Sequence, residues 1–171
     1  MKIAFSIFIL IAVASLPAFA QQSVPQDPLL DHVTGNWILQ GTVAGSETTH
    51  DIEGEWVLGH EYLRLHETSR EKNARGQSAY EAIIFIEWDA SSSEYRCLWL
   101  DSTGGGGLSS PQAIAHGKRS GDEITFLFKD NDGSVHTTFA YSKATDTWQW
   151  LIDNEAGGKL SEFARVKLTR K

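Results

Sequence analysis

Cysteine is almost missing from this chain: Cys97 stands alone, so no internal disulfide can form. It sits mid-strand in "YRCLWL", where a buried, inert thiol is expected rather than a nucleophile. Of four prolines only Pro111 follows residue 28, and no composition break marks a linker. No Asn-x-Ser/Thr sequon occurs. A basic excess is also lacking: the net charge is −7, which argues against nucleic acid and anionic membrane as partners. Helical periodicity is nearly absent, which excludes the crossover helices of a parallel sheet.

Long apolar runs are confined to the start, "MKIAFSIFILIAVASLPAFAQQ". Lys2, the run Ile3 to Leu16 and the small-x-small site Ala18-Phe19-Ala20 read as a signal peptide cut after Ala20. A retained anchor would need about 20 apolar residues, and no stop-transfer pattern follows. No Cys stands just after the cut to take a lipid. The expectation is an exported, periplasmic or secreted chain over residues 1–20 (leader, removed) and 21–171 (one domain). Loss of Lys2 takes the net charge from −7 to −8.

What is abundant is period-two alternation. After "PQDPLLDHVTG", where Pro28 opens and Gly35 ends a short helix, strands are predicted in "NWILQGTV", "HDIEGEWVL", "EYLRLHETS", "AYEAIIFIEWD", "EYRCLWLD", "QAIAHGK", "DEITFLFKD", "SVHTTFAYS", "DTWQWLIDN" and "SEFARVKLT". Turn residues separate them. Such short connections favour antiparallel neighbours. The fold class is therefore all-β, one antiparallel up-and-down barrel of about ten strands, with a sandwich as the other candidate. In "HDIEGEWVL", Ile52, Gly54, Trp56 and Leu58 share one face and Asp51, Glu53 and Glu55 the other. Three carboxylates in register suit a metal or acid/base site, but a solvated outer face explains them better.

Catalytic templates fail one by one. Gly104 to Gly107 follow a strand, yet no Lys and no helix follow them, so they form a flexible connection and not a phosphate cradle. "HEYLRLH" separates His60 and His66 by six positions on a strand, unlike the helical pair of a zinc protease. No Gly-x-Ser-x-Gly elbow occurs. The six His are scattered, so neither a metal nor a cofactor is expected.

Aromatic rows carry more. Trp148, Trp150 and Ile152 share a face, as do Tyr95, Cys97, Trp99 and Asp101, and the Trp residues of these rows are expected inside the barrel. Tyr62, Arg64 and His66 line up opposite Leu63 and Leu65. Pointing inward, they would orient the polar end of a ligand; pointing outward, they are ordinary surface. Eight strands enclose space for side chains or one small ligand, and about ten enclose more, which six Trp could also fill.

The opening "VTGNWILQGTV" resembles the Gly-x-Trp start of lipocalin-type (calycin) barrels. The succession of "LGHEYLRLHETS", "YEAIIFIEWDASSSEYRCLWLDSTG" and "VKLTRK" is similar to a bacterial domain family of unknown function in that superfamily, across residues 29–171. The resemblance implies a barrel, a small apolar ligand, and an Arg from the last strand stacked on the first-strand Trp. Trp37 and Arg170 match that pair; Arg170 shares parity with Ala164, Val166 and Leu168. Arg119 is expected to lie in a turn and contribute little. The resemblance implies no reaction.

The expected function is binding of a small hydrophobic or amphipathic molecule by Trp37, Tyr62, Arg64, His66, Trp99, Asp101, Trp148 and Trp150. The alternatives are a barrel enzyme with Asp101 and His66 as acid and base, and a structural or interaction domain with a filled barrel.

Overall fold

The computed structural model describes residues 26–104, 108, 113–129 and 133–171. The expected leader and residues 105–107 of the glycine run lie outside the described residues. Ten strands form where alternation predicted them: β1 (Gly35–Val43), β2 (Ser46–Val57), β3 (Tyr62–Ser69), β4 (Glu81–Asp89), β5 (Glu94–Asp101), β6 (Ile114–Ser120), β7 (Glu123–Lys129), β8 (Ser134–Ser142), β9 (Thr147–Ala156) and β10 (Lys159–Arg170). Each pairs antiparallel with its neighbours in sequence, and β1 also pairs with β10. The sheet is a closed up-and-down barrel, which leaves no edge strand to template association.

Alternation sorts the side chains. On β2, Ile52 and Gly54 are buried, while Asp51, Glu53 and Glu55 face water as an outer face requires. Leu58 corrects the expected row. β2 stops at Val57, and Leu58, Gly59 and His60 all take positive φ (51°, 70° and 74°), so the Leu58 side chain turns out to solvent. Cys97 is free and buried, and burial pushes its thiol pKa well up, away from the reactive thiolate.

One end of the barrel is plugged. The expected helix is a single 3-10 turn, Leu30–Val33, which drives Leu29, Leu30 and Val33 into the barrel mouth. Its free carbonyls are taken by side chains from the wall. Trp37 Nε1 donates to Val33 O at 2.8 Å, Trp148 Nε1 to His32 O at 3.3 Å, and Arg170 Nη2 to His32 O at 3.0 Å. Gly54 lets the turn seat, because a Cβ there would lie 2.4 Å from Val33 O. The Arg170 guanidinium covers the Trp37 ring at 3.7 Å, as the family resemblance implied. Arg119 departs from its expected role: it pairs with Asp27 at 2.5 Å and so ties the segment before the turn to β6.

Above the plug, Leu39, Ile52, Leu63, Leu65, Ile84, Ile86, Phe126, Phe139, Trp148 and Leu168 pack the interior, none more than 3% exposed. An apolar cavity of about 10 Å³ remains between Leu30, Val33, Leu65, Ile86, Ile124, Phe139, Trp148 and Trp150. That is about one water's room, so this half is filled.

Candidate binding site

The opposite half of the interior differs in chemistry and exposure. There the inward faces of β1, β5, β7 and β9 end in Val43, Trp99 and Asp101, Phe128, and Ile152, all half-buried, with Tyr80 just before β4. Solvent therefore reaches the inward face at this end. Among these residues lies a buried polar cluster that starts from His50 and Glu67, 6% and 4% exposed.

Register explains how the cluster forms. Ile52, Glu67, Ala82 and Asp101 pair across β2 to β5 as one row. The small side chain of Ala82 separates the two carboxylates. One step further toward the open end, His50 pairs with Ser69. His50 Nδ1 meets Glu67 Oε1 at 2.5 Å, and its Nε2 meets Thr48 Oγ1 at 2.7 Å. Thr48 and Ser69 both donate to Glu71, at 2.9 and 2.7 Å, and those bonds hold the Glu71 carboxyl below its ordinary value.

Tyr80 carries the cluster across the interior. Its ring stacks on His50 at 5.7 Å, and its hydroxyl accepts from Trp99 Nε1 at 3.0 Å. Burial, then the charge of Glu67, raises the Tyr80 phenol far above its usual range, so it stays protonated and donates to Asp101. Trp99 meets Trp150 edge to face at 6.2 Å and Phe128 at 6.4 Å. Two buried polar atoms of this assembly have no partner: Glu67 Oε2 and Trp150 Nε1. A buried acceptor or donor left unpaired costs about 1–3 kcal/mol, and native proteins carry few of them.

Several expected site residues lie elsewhere. Tyr62, Arg64 and His66 point outward, which corrects their inward assignment. The pleat buries Leu63 and Leu65 at 0% and 1% exposure. Burying those two stabilises by about 1.5–3 kcal/mol each, and the reverse register would bury a guanidinium instead. Arg64 pairs with Glu55 at 2.5 Å and His66 with Glu81 at 2.7 Å, while Glu87 keeps the Tyr62 phenol above its ordinary value. His66 and Asp101 thus sit on opposite faces of the sheet and cannot act together as acid and base. Trp37 and Trp148 do point inward but at the plugged end, where their N–H groups serve the 3-10 turn. Trp99, Trp150 and Asp101 remain, joined by His50, Glu67 and Tyr80, which the sequence reading passed over. A signal was available: continuing the Leu63–Leu65 row by parity reaches Glu67 and Ser69, and continuing the Ile52 row backward reaches His50.

No protein-family model matches the chain, and no curated protein matches it. Among the described residues, no group of three or more His, Cys, Asp and Glu is placed to hold a metal ion, and no helix is long and apolar enough to cross a membrane.

Proposed function

We propose that the protein is an exported, calycin-like barrel that binds one small amphipathic molecule in the open half of its interior. The observation that carries this reading is the pair of unpartnered buried atoms, Glu67 Oε2 and Trp150 Nε1, beside an aromatic wall. A few placed polar groups within an apolar lining are what a small-molecule site needs. The apolar body of the ligand stacks on Trp99 and Phe128, and its polar end reaches the Glu67 side. The plugged half, where packing leaves about 10 Å³, matches the filled-barrel alternative, and the proposal concerns the open half.

Native mass spectrometry of protein isolated from its own cells tests the proposal. The expected result is a retained small molecule, and rebinding of the extracted compound should shift tryptophan emission at micromolar concentration, equivalent to about −8 kcal/mol. Trp99→Phe should abolish most of that shift, and Trp37→Phe should not. Empty protein, with emission unmoved by a panel of alkyl and aryl amphiphiles, would count against binding.

A further inference from the structure

Resting on that reading, the charges facing the open half indicate which polar group the ligand carries. Two inward carboxylates, Glu67 and Asp101, flank Ala82 on a single row. Their backbones are two strand spacings apart, about 9–10 Å, so both side chains can approach one group between them. Glu71 adds a third carboxylate behind Thr48 and Ser69. The His50 ring within the cluster is already engaged through both nitrogens.

No Lys or Arg among the described residues offsets these carboxylates from inside. Arg64 is held outside by Glu55, Arg70 by Asp51, Arg96 by Glu87 and Asp89, and Arg165 by Asp153. A ligand carboxylate would therefore lie beside like charges with no Lys or Arg to pair with, which is an element of rejection. A cation meets the reverse situation. Glu67 Oε2 is buried and lacks a donor, while the rings of Tyr80, Trp99 and Trp150 supply the faces that attract ammonium groups.

We infer that the ligand is an amphipathic amine, whose protonated N–H donates to Glu67 Oε2 with Asp101 as the second carboxylate. The unpartnered oxygen asks for a hydrogen-bond donor, which a quaternary ammonium lacks. A primary or secondary amine is thus the matching chemistry, on a body apolar enough to cover Trp99 and Phe128.

The test is calorimetry at neutral pH with head groups exchanged on fixed bodies: octylamine, octanol and octanoate, then phenethylamine, phenethyl alcohol and hydrocinnamate. A charge-assisted bond of about 1.5–3 kcal/mol predicts that each amine binds at least tenfold tighter than its alcohol, with the carboxylates weakest. Glu67→Gln should bring the amine to within about threefold of the alcohol. Asp101→Asn, at the half-exposed rim where the amide oxygen can still accept from Thr103, should reduce the amine preference about threefold and provides a second readout if Glu67→Gln is unstable. Carboxylates binding as well as amines, or an amine preference that survives both substitutions, would overturn the inference while leaving small-molecule binding intact. Absence of binding by all six compounds, in protein that also carries no native ligand, would overturn both.

Discussion

His50 holds the polar half of the interior together. Thr48 gives its hydroxyl proton to Glu71 and its oxygen meets His50 Nε2, while Glu67 meets the same ring at Nδ1. Both ring nitrogens are thereby engaged, and the imidazole bridges two carboxylate arms of the cluster. Taking one member out of such a buried pair costs about 3–5 kcal/mol, because the other charge stays behind unmatched. Taking both out in favour of apolar groups is often neutral. His50→Leu should therefore lower unfolding stability in urea by about that amount, and His50→Leu with Glu67→Leu should recover most of it. A loss in the double variant equal to the sum of the His50→Leu and Glu67→Leu losses would mean that the pair is not coupled. The double variant, having lost Oε2, should also be unable to prefer amines, so stability and recognition can be separated.

The 3-10 turn and β10 form the closing element. Four residues of turn would not persist alone. Their carbonyls are held by Trp37, Trp148 and Arg170, and Arg170 also pairs with Asp146 at 2.9 Å. A half-exposed cation–π contact of this kind is worth about 0.5–2 kcal/mol. Arg170→Ala should lower the melting temperature by roughly 2–8 °C in a chain of this size, with Lys143→Ala in the β8–β9 turn as the silent control. No difference between the two would mean that the stacking adds nothing. At this scale the sequence was highly legible: period-two rows and turn residues located all ten strands, and the Trp37–Arg170 contact followed from the resemblance and from parity. The site was less legible. Polar groups suit a pocket, which is the case for Arg64 and His66 facing inward, yet the neighbouring Leu63 and Leu65 outweigh them for the same interior. Parity runs on from those leucines to Glu67, but nothing in one strand tells that His50 from β2 will be there to hydrogen-bond it. That pairing is a property of register between strands, which a single sequence does not display.

Across the whole molecule, ion pairs decorate both ends, and their carboxylates control behaviour in acid. Burial alone would raise the Asp27 pKa, but the Tyr95 hydroxyl, the Leu29 amide and Arg119 together hold it below the model-peptide value of 3.8. Hydrogen bonds from Ser91 and Ser92 lower Asp89 to about 2. Arg70 lowers Asp51, and Arg170 lowers Asp146. A carboxyl whose pKa is lower folded than unfolded binds fewer protons when folded. Its contribution is complete above the unfolded value, about 3.9 for Asp, and is lost as the pH falls through the folded one. Stability should therefore hold from pH 7 to about 5 and fall between about pH 4 and 2. Below that window, 15 Lys and Arg with six His repel one another uncompensated. Asp27→Asn isolates the share that belongs to the plugged end. At pH 7 this variant should melt below the wild type, since Arg119 and Tyr95 lose the ionised partner. As the pH falls through the lowered folded pKa of Asp27, the wild-type carboxyl is neutralised too, and the two melting curves should converge. A gap that stays constant from pH 7 to 2 would mean that Asp27 acts through packing, and not through its charge.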